Sequence, residues 1–222
     1  MLPAAARVAL GADATFSHWA LGAEDEPALA ATEAACRRAV VRTLPAPADP
    51  PTGSVDDCDE AVLARRLDDP DGWSDVTVRP ELSELVALHN GRLDDRAEAL
   101  VGPPREAVTA ALAGAARDRG WCPEATSWQM SGHLWYRAGS ALGWHTNTRV
   151  PGWRAYLTWV AEPGGSFFRY RDPRDGAVVT SWDTGLDLRL FHVSATDVFW
   201  HCVWAGTDRH SFGFRLVDTA PG

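Results

Sequence analysis

Residues 132–171 read GHLWYRAGSALGWHTNTRVPGWRAYLTWVAEPGGSFFRYR, in which aromatic and β-branched residues come in short runs broken by Gly and Pro. That texture marks strands separated by turns. It extends both ways, from Thr126 nearly to the end, through SWQMSGHLWYR, WRAYLTWVA, GSFFRYR, GAVVTSWD, DLRLFHV, DVFWHCVW and HSFGFRLVD. Seven short strands in under a hundred residues predict a β-sandwich or barrel of the jelly-roll type. Nine of the 11 Trp lie from Trp121 onward, as the interior of such a barrel requires.

Upstream the pattern is different. EPALAATEAACRRAVVR (Glu26–Arg42) is Ala-rich, with Glu early and Arg late, and predicts a helix aligned with its own dipole. Further helices are expected over Asp59–Leu67, over Pro80–Asn90 with Pro in the first turn and Asn-Gly at the end, and over Arg105–Arg119 between a Pro pair and Gly120. Residues 43–57, TLPAPADPPTGSVDD, read as an exposed loop. The expected class is α+β: one domain over 1–222, with a mainly helical support over 1–125 and a double-stranded β-helix (jelly-roll, cupin-like) core over 126–222.

Bulk properties restrict the functions available. The formal net charge is −9, all 21 basic residues are Arg, and an acidic chain is repelled by phosphate backbones, so no nucleic-acid partner is expected. No apolar run approaches a membrane span, and the first residues lack a signal peptide's charged and apolar regions, so no membrane partner and a cytoplasmic location are expected. Cys36, Cys58, Cys122 and Cys202 are scattered without a CxxC pair and read as free thiols. Oligomeric state is not encoded in any of these features.

The chemistry concentrates in three segments, GWHTNT (Gly143–Thr148), FWHCVW (Phe199–Trp204) and DRHSFGFR (Asp208–Arg215). Alternation along a strand puts His145 and Asn147 on one face, and Arg209, Ser211, Gly213 and Arg215 on one face, with His210, Phe212 and Phe214 opposite. A lone Trp-flanked His is more often a packed core residue than a ligand, Arg209 has Asp208 or Asp218 for surface partners, and Arg215 suits a structural ion pair. Taken together, two imidazoles and a nearby oxygen donor suit a non-haem iron, and an Arg fork with a hydroxyl two residues on suits a carboxylate.

In order, LWYRAGSALGWHTN, RAYLTWV, EPGGSFFRY, LRLFHVSATDVFWHCV and RHSFGFR resemble the 2-oxoglutarate and Fe(II) dependent dioxygenases, most closely their prolyl 4-hydroxylase-like branch. The resemblance covers roughly residues 128–217. His201 follows His145 by 56 residues and Arg209 follows His201 by eight, which suits that family's pattern. It implies that His145, Asn147 and His201 form the catalytic metal site, and that Arg209 and Ser211 bind the 2-oxoglutarate cosubstrate. It further implies that Tyr136 bonds 2-oxoglutarate and that Arg154 and Tyr156, on one face of their strand, meet the cosubstrate or substrate. It also implies dioxygen, a small-molecule, amino acid or peptide-like substrate, hydroxylation of a C–H bond, and release of succinate and CO2.

The chain departs from the family at Asn147, where Asp or occasionally Glu is usual. An amide oxygen is neutral, which lowers metal affinity. Either Asn147 ligates, or another group or an anion fills the position, or the site is degenerate. The last two lead respectively to a halogenase-like radical variant and to a jelly-roll binding module. Asp183 is the nearest downstream carboxylate.

Overall fold

Alternation shapes the architecture, because most strands of the C-terminal half bury residues on both faces. The computed structural model describes residues 16–22, 24–44, 53–69, 85–88, 93–121 and 126–218. Among these, ten strands form two antiparallel sheets. In chain order they are β1 (Phe16–Ala20), β2 (Leu85–Ala87), β3 (Thr126–Tyr136), β4 (Ser140–His145), β5 (Gly152–Val160), β6 (Ser166–Arg171), β7 (Val178–Trp182), β8 (Leu186–Val193), β9 (His201–Ala205) and β10 (Arg209–Asp218). The major sheet has the order β1-β8-β5-β10-β3-β2 and the minor sheet β4-β9-β6-β7. Consecutive strands mostly switch sheets, which is the double-stranded β-helix the sequence predicts, in an α+β chain.

The outer face of the major sheet is apolar and takes the helices. Ala155, Leu157, Leu188, Leu190, Phe212 and Phe214 pack with Leu29 and Cys36 of α1 (Pro27–Thr43) and with Val108, Leu112 and Ala116 of α3 (Asp95–Arg119). Each such large apolar side chain contributes roughly 1.5–3 kcal/mol by burial. The helices therefore exist chiefly to cover this face. A third helix, α2 (Glu60–Asp68), follows a 3-10 turn at Val55–Cys58, and Leu63 and Cys58 pack on the outer face of the minor sheet with Trp144, Phe167, Trp200 and Cys202.

Helices α1 and α2 lie where the sequence predicts them. Helix α3 begins ten residues before the expected Arg105 and runs through Pro103 and Pro104. Asp94 caps its start by accepting from the Ala97 amide, and Gly120 ends it in the left-handed region. Val101, Val108, Leu112 and Ala116 are buried at helical spacing across the prolines, so packing outweighs the lost ladder bond. The helix expected over Pro80–Asn90 is a correction: Leu85–Ala87 pairs antiparallel with Leu134–Tyr136 as an edge strand, and 80–84 and 89–90 lie outside the described residues. Strand β1 likewise adds Phe16–Ala20 to the sheet beside β8, in a region read as support alone. Of the predicted loop, 45–52 lie outside the described residues and 55–57 belong to the 3-10 turn. Among the described residues no helix is long and apolar enough to cross a membrane.

On the outer face of β10, His210 is buried against Trp135 (ring centroids 5.6 Å) and Trp159 (6.2 Å), while the Arg37 guanidinium sits 3.5 Å over the Trp159 ring. Burial, with Arg37 adding repulsion, pushes its imidazole down to about 3. The native state refuses a proton that the unfolded chain accepts near 6.5, so stability is full above that pH and falls as pH drops towards 3. We predict that His210→Phe removes about 2–3 kcal/mol of the stability lost between pH 7 and pH 4.5. Urea denaturation across that range checks it, and an acid limb unchanged by the substitution would assign the loss to other groups.

Candidate active site

The two sheets enclose an interior lined by Tyr136, Leu142, Phe168, Tyr170, Phe191, Val193, Phe199 and Val203. His145 enters it by a local irregularity. Leu142 pairs with Val203 and His145 with His201, so β4 spends three residues where β9 spends two. This bulge resets the alternation: Leu142 points in, Trp144 points out to Cys58 and Leu63, and His145 points in again. Regular pleating from Leu142 would have turned His145 away.

His145 and His201 are thus directly opposed across β4 and β9, with ring centroids 4.1 Å apart. Each donates from Nδ1 to a backbone carbonyl two residues upstream, His145 to Gly143 (2.8 Å) and His201 to Phe199 (3.1 Å). Those bonds fix both rings as the Nδ1–H tautomer, so that each Nε2 carries the lone pair, that of His201 accepting from the Asn147 amide nitrogen. Phe168, Phe191 and Phe199 surround His201 at 5.3–5.7 Å between centroids. Burial holds the His201 imidazole well below its usual range, and His145 and Arg154 lower it further. It is a neutral imidazole at neutral pH.

Asn147 reaches the same point from the loop after β4 rather than from strand alternation. Its Nδ2 lies 3.3 Å from His201 Nε2, and its amide also hydrogen-bonds the buried Tyr156 hydroxyl. Tyr156, whose hydroxyl is pushed up by burial, crosses β10 at Gly213, where an added Cβ would stand 3.2 Å from Cε1 of the ring. Gly213 is the space through which Tyr156 gains the interior. Arg154, on the same face of β5, is buried and donates to the carbonyls of Val150 and Trp153.

Arg209 opens β10 on the inner face with Ser211, as alternation requires, between Tyr136 on β3 and Val160 on β5. Its guanidinium is wholly buried and lies 5.1 Å from the Tyr136 ring centre. Its partner is neither Asp208 nor Asp218. Nε donates to Asp183 Oδ2 (2.9 Å) and Nη2 to Thr158 Oγ1 (3.2 Å), while Nη1 is buried with no hydrogen-bond partner. Asp183 also meets Arg189 Nη1 at 2.7 Å. Asp183, read as a carboxylate to watch near the metal, serves two arginines instead. Arg215 bonds Gln129 at the surface, as a structural residue does. Sequence reasoning missed Arg189 and Asp187, whose charges inside strand β8 have only Leu and Phe around them in sequence and give no motif.

Among the described residues, no group of three or more His, Cys, Asp or Glu is disposed to hold a metal ion. The donor set is two imidazoles and an amide. Two opposed Nε2 atoms fit a first-row divalent ion, with the third position neutral, and a buried unpartnered Arg nitrogen on the same inner surface fits a carboxylate.

No family model matches the chain, and no curated protein matches it. Among solved structures it is similar to a Pseudomonas putida prolyl-4-hydroxylase (16% identity, TM-score 0.46, 96% of this chain and 97% of that one). It is also similar to a 2OG-Fe(II) oxygenase family oxidoreductase from Burkholderia pseudomallei (11%, 0.40, 86% and 91%). A prolyl hydroxylase from Trichoplax adhaerens, in complex with a hypoxia inducible factor oxygen degradation domain peptide fragment, gives 11%, 0.43, 90% and 94%.

The Asn147–Tyr156 bond is testable by itself. Tyr156→Phe deletes one buried hydrogen bond and is predicted to cost about 1 kcal/mol. Chemical denaturation of the metal-free protein measures it, and a neutral or stabilising result would show that the amide does not depend on the hydroxyl.

Proposed function

We propose that this chain is a non-haem Fe(II)- and 2-oxoglutarate-dependent oxygenase that hydroxylates a C–H bond of a small metabolite, amino acid or peptide-like substrate. The observation that carries the reading is the opposed pair His145 and His201, whose Nδ1 atoms are tied to backbone so that both Nε2 atoms face the same interior. A core histidine serving packing alone has no need of a second one across the ladder with the same tautomer.

In this reading His145 and His201 hold the metal and Asn147 completes or borders the triad. When bound, Fe(II) with 2-oxoglutarate activates dioxygen, with succinate and CO2 as coproducts. Arg209 takes the cosubstrate's far carboxylate, with Ser211 on the same face and Tyr136 stacked at its flank. Arg154 and Tyr156 border the metal end, Tyr156 orienting the Asn147 amide. The Phe168, Phe191 and Phe199 rings exclude water around His201, which strengthens each polar contact made there. A second reading is a halogenase-like variant in which a halide takes the position a carboxylate would fill; the Asn147 side chain, 3.3 Å from His201 Nε2, stands at that position and disfavours it.

The test is anaerobic addition of Fe(II) and 2-oxoglutarate, read by the weak visible charge-transfer absorption of the chelate. We predict the band in wild type, its loss in His201→Ala, and an Fe(II) affinity at least about tenfold higher in Asn147→Asp, the scale on which changes around a metal act. Absence of the band from folded wild type, or its survival in His201→Ala, would overturn the assignment. A band that shifts with chloride would favour the second reading.

A further inference from the structure

Inside the barrel, away from the two histidines, lies a set of four charged side chains with 0% exposure: Asp183, Asp187, Arg189 and Arg209. Asp183 bridges both arginines, through Oδ2 to Arg209 Nε and through Oδ1 to Arg189 Nη1. The remaining Arg189 donors are spent on Ser181 Oγ and on the Ser181 and Trp182 carbonyls. Asp187, two residues from Arg189 on the same face, accepts from the Thr184 amide and hydroxyl and lies 2.8 Å from His18 Nε2. Within this set of four, two carboxylates balance two guanidinia. The positive charge that Arg209 would offer an incoming carboxylate is therefore already answered from within the chain.

Two buried donors in this region lack a partner. Arg209 Nη1 is one, and the Ser166 hydroxyl is the other, on the strand whose carbonyl at Ser166 accepts from the Asp183 amide. Buried donors left unpaired are costly, so they mark a seat for an acceptor.

Resting on the proposed cosubstrate reading, we infer that Asp183 is a specificity-determining residue: it occupies Nε of the Arg209 fork as an internal carboxylate, so that a ligand's far carboxylate meets only the Nη edge, whose Nη2 already serves Thr158. The Nε–Nη2 edge is closed to that carboxylate unless Asp183 withdraws. The chain thus discriminates weakly between 2-oxo acids with and without a far carboxylate. Asp183 weakens dicarboxylate binding both by holding Nε and by like-charge repulsion in a water-poor interior. Asp183→Asn keeps the shape, removes the competing charge and leaves the arginines in excess, which an added carboxylate then neutralises.

Glutarate is the probe, because it carries the far carboxylate without the metal-chelating 2-oxo group. Binding to the metal-free protein is read by calorimetry and by thermal shift, alongside propionate, which has one carboxylate. We expect Asp183→Asn to bind glutarate at least ten times more tightly than wild type, to gain more thermal stability from it, and to lose that gain in Asp183→Asn/Arg209→Met. Asp183→Glu should behave as wild type. Should Asp183→Asn alone not fold, Asp183→Asn/Arg189→Met restores the charge balance while still freeing Arg209 Nε, and should tighten glutarate binding in the same direction but by less. Glutarate binding unchanged or weakened in the folded variants would overturn the inference. Because no metal is present, that failure is separate from a missing Fe(II)–2-oxoglutarate band, which bears on the oxygenase reading alone.

Discussion

The side chains between the two sheets are buried, and a polar group placed among them is costly unless another answers it. The aromatic lining of Phe168, Phe191, Phe199 and Tyr170 imposes this constraint on His145, His201, Arg189, Arg209 and Asp183 alike. Backbone carbonyls answer the Nδ1 atoms of the two histidines, and Asp183 answers the two arginines. One Arg209 guanidinium nitrogen and the Ser166 hydroxyl remain buried there without a hydrogen-bond partner. Trp121, Trp135 and His210 leave buried nitrogens unpaired on the helix-covered side as well, so what marks a site here is that His145, His201 and Arg209 face one interior.

The fold serves that interior through two different devices. On the major sheet, plain alternation along β10 sorts Arg209, Ser211 and Gly213 inward and His210, Phe212 and Phe214 outward to the helices. On the minor sheet, alternation has to be broken. The bulge between Leu142 and His145 lets Trp144 seal the outer face against Cys58 and Leu63 while His145 turns in. The same short stretch therefore supplies both an outward packing residue and an inward imidazole.

What was legible in the sequence follows this division. The two faces of β10 were readable because a strand of ten residues has one period and no irregularity until Gly213. The pairing of His145 with His201 was readable from the motif order and their spacing. Asn147 was expected on the face of His145 by strand alternation, yet it reaches His201 from a loop, since β4 ends at His145. The partner of Arg209 was not readable. Asp183 lies 26 residues upstream, just beyond a different strand of the other sheet, and local sequence favours Asp208, which instead receives the Ala138 amide. Strand β2 was misread as helix because Pro before a mixed polar run and Asn-Gly after it are helix signals, whereas pairing with β3 is a long-range property. Long-range pairing is what a single sequence encodes least directly.

The central claim is that His145 and His201 present two Nε2 lone pairs to one point. Long-range proton–nitrogen NMR of the metal-free protein reads the tautomer of each ring, and titration with Zn(II) as a diamagnetic probe reads which nitrogens respond. The account predicts Nδ1–H for both rings and a simultaneous shift of both Nε2 signals saturating at one equivalent of metal. An Nε2–H tautomer at either residue, or metal addition that moves neither or only one of them, would contradict it.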